Sequence, residues 1–79
     1  MTTTIAVSLD LKGLACPMPI VKTAKAIREL APGELLEALA TDPGAVPDFQ
    51  AWSKATGNPL VETTQKDGVF RFVIRKKAI

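Results

Sequence analysis

The chain has 79 residues, is 47% hydrophobic and 23% charged, and carries ten basic and eight acidic side chains, one cysteine and no histidine. A length of this order holds a single domain, 1–79. The balance is too apolar for a disordered tail, and the apolar runs break well short of the roughly 18 residues of a membrane-spanning helix. A lone cysteine without histidine excludes an internal disulfide, a Cys/His zinc site and any Cys–His or Ser–His catalytic pair. Met1-Thr2-Thr3-Thr4 shows neither the basic nor the apolar region of a secretory signal. The expectation is a soluble, cytoplasmic, monomeric module with no metal and no cofactor, in which Cys16 is the leading candidate for covalent chemistry.

Ile5, Val7, Leu9 and Leu11 alternate with Ala6, Ser8 and Asp10, which predicts a half-buried strand over residues 5–11. Lys12-Gly13 ends it, with Gly13 free to adopt a positive φ. Beyond Cys16-Pro17 the period lengthens. Ile20, Ala24, Ile27 and Ala31 predict the inner stripe of an amphipathic helix from Pro17 to Leu30, with Lys22, Lys25 and Glu29 outside. Pro17 suits the first helical position, Pro19 is tolerated in the first turn, and Pro32-Gly33 is a stop.

Leu35 to Thr41 is apolar on both faces and predicts a central strand. Asp42 is placed to cap a second helix over Ala45 to Thr56, whose regular part Pro47 appoints as its own start; Val46, Phe49, Trp52 and Ala55 form its apolar stripe. Phe49 and Trp52 are read as core residues. Gly57-Asn58-Pro59 ends that helix. Leu60 to Lys66 and Val69 to Lys76 then read as a hairpin across Asp67-Gly68, with Phe70, Phe72 and Ile74 turned toward the helices. The order β-α-β-α-β-β predicts an α+β two-layer sandwich: a mixed four-stranded sheet with both helices packed on one face.

Cys16 falls at a strand-to-helix junction. A helix N-terminus presents unpaired N–H groups and the positive end of the macrodipole, both of which favour a thiolate. Read from the residues alone, two assignments stand side by side: a small buried hydrophobe, or a nucleophile held by the rigid Pro17 and Pro19 with Gly13 and Ala15 leaving room for an approaching molecule. The N–H groups of Met18 and Ile20 are the expected contacts for an anion on the sulfur, because the two prolines have none. Asp10, Asp42 and Asp48 are read as capping and positioning residues of the surrounding elements.

The stretch Leu9-Asp10-Leu11-Lys12-Gly13-Leu14-Ala15-Cys16-Pro17-Met18-Pro19 resembles the start of the TusA/SirA family of small sulfur carriers, whose signature is Cys-Pro-x-Pro at the first helix. Ala40-Thr41-Asp42-Pro43, Asp48 and the closing Gly68 to Lys76 are also similar. The resemblance implies a sulfurtransferase role: the cysteine matched by Cys16 accepts a sulfane sulfur as a persulfide and passes it on, with Pro17 and Pro19 as scaffold. It further implies a donor protein, a cysteine desulfurase or a rhodanese-like protein, and an acceptor protein thiol, in tRNA thiolation, molybdenum-cofactor assembly or sulfur oxidation. The residue between the prolines is often acidic in the family. Here it is Met18, which offers an apolar contact beside the sulfur.

A carrier benefits from a solitary thiol, since a second cysteine would discharge a persulfide as a disulfide and sulfide. The basic side chains cluster around the first helix, at Lys22 and Lys25, and near the C-terminus, at Arg71 and Arg75. They are candidates for partner docking. The competing functions are a basic module that binds RNA or protein without sulfur transfer, and a redox-sensing thiol; no RNA-binding motif is present, and direct nucleic-acid binding is not expected.

Overall fold

A computed structural model describes residues 4–15 and 17–77 of the chain. The elements follow in the order β1 (Ile5–Asp10), α1 (Met18–Ile27), β2 (Leu35–Ala40), α2 (Ala45–Thr56), β3 (Leu60–Lys66) and β4 (Val69–Arg75). They build one mixed sheet in the order β1-β2-β4-β3. β1 runs parallel to β2, while β4 is antiparallel to both β2 and β3. The layered architecture expected from the sequence is the one observed, and β2 is central in it.

The core lies between the sheet and the helices. On β2 the inward residues Leu36, Ala38 and Ala40 stand in register with Ile74, Phe72 and Phe70 of β4. Each small alanine thus neighbours a phenylalanine, which leaves space above the sheet for a ring from the helix layer. Phe49 of α2 fills it, stacked on Phe72 with centroids 4.2 Å apart, and Trp52 meets Phe49 edge-on at 6.2 Å. Phe49 and Phe72 are fully buried. Burial of each ring stabilises the fold by about 1.5–3 kcal/mol, and each aromatic pair adds about 0.5–1.5 kcal/mol. Trp52 is only half-buried, so its role as a core residue holds for one side of the ring.

Helix α1 departs from its predicted bounds at both ends. Pro17 is the N-cap, with φ −97° and ψ 12°, and the first helical residue is Met18. The far end closes early because the Glu29 and Leu30 amides donate to Ala26 O and Ile27 O, at 3.1 and 3.2 Å. These i→i−3 bonds tighten the last turn and release the chain. The buried stripe is also rotated: it consists of Pro19, Thr23 and Ile27, whereas Ala24 is half-buried and Ala31 exposed. Hydropathy counts threonine as polar, but its γ-methyl and β-branch pack like those of valine, so Thr23 occupies an interior position that periodicity assigned elsewhere.

Helix α2 begins at Ala45, two residues before Pro47. A proline in the first turn lacks only an N–H that would have no helical partner, so it does not delay the start. Asp42 prepares that start through its carboxylate, which accepts the Gly44 N–H at 3.3 Å, and its carbonyl, which accepts that of Ala45 at 2.9 Å. Gly57 closes the helix at φ 81°, the left-handed cap for which glycine carries no steric penalty. The hairpin turn has φ 53° at Asp67 and 79° at Gly68, the pair of positive values a tight two-residue β-hairpin requires.

The other face of the sheet carries no helix. One residue from each strand joins a polar chain across it: the Ser8 hydroxyl donates to Glu37 Oε1 at 2.6 Å, and Arg71 donates from Nε to Glu37 Oε2 and from Nη1 to Glu62 Oε2 at 3.1 Å. Val73 lies in register between Glu37 and Glu62 and is 98% buried (2% exposed) although it points away from the helices. Among the described residues, no helix is long and apolar enough to cross a membrane.

Candidate functional site

The expected thiol, Cys16, lies outside the described residues; its two flanks are well defined. On the strand side, the Leu11 amide extends the β1–β2 pairing by donating to Leu39 O at 2.8 Å. The chain then turns: the Lys12 amide donates to Asp10 Oδ1 at 3.1 Å, and the Leu14 amide returns to Leu11 O at 3.2 Å. Gly13 takes φ 84° in this turn, and a Cβ there would meet nothing within 4 Å, so the need for glycine is conformational. The Gly13 amide donates to Thr41 Oγ1 at 3.0 Å, which ties the loop to the end of β2.

On the helix side, the Met18 amide donates to Ala15 O at 3.0 Å and the Val21 amide to Pro17 O at 3.0 Å. The first of the two amides expected to contact an anion is therefore already engaged by Ala15 O. What the helix contributes is its field. The N-terminus of α1 has no side-chain cap and no acidic residue in its own first turn, so the helix itself does nothing to offset the positive end of its dipole. Pro19 is buried and anchors this end against the core, while Pro17 and Met18 are exposed. Met18 and Val21, at 42% and 51% exposure, lie three residues apart on the same side of α1 and form an apolar surface beside the turn.

The candidate docking residues do not form one patch. Lys22 and Lys25 are exposed on α1, along a groove of about 610 Å³ between that helix and β1, which Val7 and Leu9 line from the strand side. Arg71 and Arg75 alternate with the inward residues of β4 and so occupy the helix-free face. Arg71 is held there by Glu37 and Glu62, and these contacts raise its pKa. The carboxyl of Glu37 is held below the ordinary range, first by the Ser8 hydroxyl and then by Arg71.

Sequence reasoning missed two positioning groups. Thr41 was noticed only as part of a stretch resembling the family, and its hydroxyl proves to be the tie for the Gly13 turn. Glu37 carried no signal at all, because its partners Ser8 and Arg71 are 29 and 34 residues away.

The chain is a small α+β sandwich in which a pinned glycine turn leads toward a helix start with no side-chain cap and no acidic residue in its first turn. Residues 7–76 match the family model described as sulfurtransferase TusA, and the chain belongs to that family. It is 54% identical over 68 residues to a putative sulfur carrier protein, YrkI, of Bacillus subtilis, covering 86% of this chain and 91% of the relative. It is 46% identical over 68 residues to the sulfur carrier protein TusA of Allochromatium vinosum, covering 86% and 90%. The crystal structure of a SirA-like protein from Desulfitobacterium hafniense superposes with a TM-score of 0.81 at 26% identity, over 90% of this chain and 97% of that one. Membership supports a sulfur-carrier role, and with it exchange with donor and acceptor proteins.

Proposed function

We propose that the chain carries sulfane sulfur as a persulfide on Cys16 and delivers it to the thiol of an acceptor protein. In loading, the Cys16 thiolate attacks the outer sulfur of a donor persulfide, R–S–SH. A new S–S bond forms on Cys16, the donor S–S bond breaks, and the donor leaves as R–S⁻. Delivery is the same exchange with an acceptor thiolate as nucleophile and Cys16 as the departing thiolate. Neither step needs an external oxidant or reductant. Attack on the inner sulfur would instead give a mixed disulfide and release sulfide, so a partner must be held with its outer sulfur in line.

The observation that supports this reading is the start of α1, the positive end of its dipole, whose first turn holds no acidic residue and no side-chain cap. That field favours both the thiolate and the persulfide anion, and it stands in for the general base that a chain without histidine lacks. Of the two amides suggested by the sequence, that of Met18 donates to Ala15 O, so the helix field carries more of the stabilisation. The exposed Met18 and Val21 supply the apolar contact against which a donor or acceptor protein rests.

The test is loading by a cysteine desulfurase with cysteine, or by a rhodanese-like protein with thiosulfate, read by intact mass. The chain is expected to gain one sulfur and to lose it to reductant, and the Cys16→Ser variant to gain none. A serine variant that still gains sulfur refutes the assignment to Cys16. Reversible oxidation of the thiol without sulfur gain from either donor points instead to a redox sensor.

A further inference from the structure

At the opposite end of α1 from Cys16, a second cleft of about 390 Å³ opens between the two helices. Its apolar side consists of Ala24 and Ile27 from α1 and Trp52 and Ala55 from α2, and its polar side of Arg28, Lys76 and Lys77. Among the described residues, no carboxylate lines it. Among the described residues the ion pairs belong to Arg71, and none involves these three cations.

The main chain that carries the two lysines is held in place. The Lys76 amide donates to Glu34 O and its carbonyl accepts the Gly33 amide, both at 2.8 Å. The Lys77 amide donates to Oδ1 of the buried Asn58 at 2.9 Å, and Asn58 Nδ2 donates to Thr56 Oγ1 at 3.0 Å. Thr56 Oγ1 in turn donates to Trp52 O at 2.8 Å, so the tail and the end of α2 form one hydrogen-bonded unit. The aliphatic stem of Lys77 passes close to Gly57, with Cδ at 3.6 Å from where a Cβ would stand.

Both helices end here, and their C-termini attract positive charge. Two helix ends supply together about one negative charge, against three full positive charges, so a surplus of about two remains. Glu29, next to Arg28 in the chain, lines the other groove beside Lys22 and Lys25, and the Glu34 carboxylate is turned to the Ala31 amide at 2.7 Å. A preformed cleft with an apolar floor and two unbalanced positive charges is complementary to an acidic segment bearing an apolar side chain.

We propose that this cleft docks an acidic, apolar-anchored segment of a partner protein, at a surface separate from the reactive loop. α1 has ten residues, which at about 1.5 Å per residue separates its two ends by about 15 Å. One partner can therefore be tethered at the cleft while the loop remains open to a sulfur donor or acceptor. RNA is the poorer match. The cleft has room for one or two side chains over an apolar floor, and Arg71 is taken up by Glu37 and Glu62 on the other face.

The inference does not depend on sulfur transfer and is tested without it. Titration of the ¹⁵N-labelled chain with the capped peptide Asp-Glu-Leu-Leu-Asp-Glu is expected to shift the Trp52 indole and the amides of Ile27, Thr56 and Lys77, with saturation. The Cys16→Ser chain should bind equally. Arg28→Gln/Lys77→Gln, which alters only exposed side chains, should weaken binding at least tenfold with its other amide shifts unchanged. Shifts centred on Met18 and Val21, an unaltered affinity in the double variant, saturation by an oligouridine at concentrations where the peptide does not bind, or no saturable shift with either probe would each overturn the proposal.

Discussion

Thr23 is fully buried on the core side of α1, and among the described residues its hydroxyl has no hydrogen-bond partner. Exchange for valine keeps the β-branch and nearly the same volume while removing the oxygen. Valine and threonine have similar helix propensities, so the backbone contribution cancels. A buried unsatisfied hydroxyl costs about 1–3 kcal/mol, and the lower end is the appropriate figure for a group that rotates freely toward whatever polarity is near. Thr23→Val should therefore stabilise the fold by about 1 kcal/mol, which for a domain of this size raises Tm by about 4–8 °C. The serine variant supplies the control. It keeps the hydroxyl and deletes one buried methyl, and should lower stability by about 1 kcal/mol. Urea titrations of the three proteins, followed by circular dichroism and by Trp52 fluorescence, measure both differences. A valine variant less stable than the parent by 1 kcal/mol would show that the hydroxyl is hydrogen-bonded, and the account of this helix face would be wrong.

Two further predictions concern the sheet. Glu37→Gln should weaken the polar chain on the helix-free face, and its effect should depend on pH. Because the folded carboxyl is held below its ordinary value of about 4.3, its contribution is complete above that pH and is lost as pH falls through the depressed folded value. The gap between parent and variant urea midpoints should thus be flat from pH 7 to 5 and shrink toward pH 3; a gap that widens toward acid contradicts the assignment. Phe49→Ala removes the ring stacked on Phe72 and should cost about 3–5 kcal/mol, a large part of the total for so short a chain. A thermal melt displaced by only a few degrees would mean that the core repacks around Trp52.

Much of the fold was legible because its signals are local. The alternation of Phe70, Phe72 and Ile74, the turn at Asp67-Gly68 and the stops at Pro32-Gly33 and Gly57 each act within a few residues, and the elements follow in the order these signals predict. Element ends were less legible. α1 stops at Ile27 because carbonyl oxygens of its last turn were captured by i→i−3 bonds, a competition between nearly equal geometries that composition does not decide. At the site, the Cys-Pro-x-Pro setting and the lone thiol were visible in the residues, whereas the tie from Thr41 to Gly13 needed two segments brought together by the β1–β2 pairing.

The sequence by itself determined the class of chemistry. With one cysteine and no histidine, the covalent chemistry proposed for the chain falls to a single thiol, with no disulfide partner and no Cys–His pair within it. The tertiary structure alone decided which charges are available to a partner. Basic residues that cluster in the sequence separate in space, Arg71 into ion pairs on the helix-free face and Lys76 and Lys77 to the cleft where Arg28 meets them. The reason is that strand alternation sends neighbours to opposite faces, while the sheet order and the helix ends bring distant residues together.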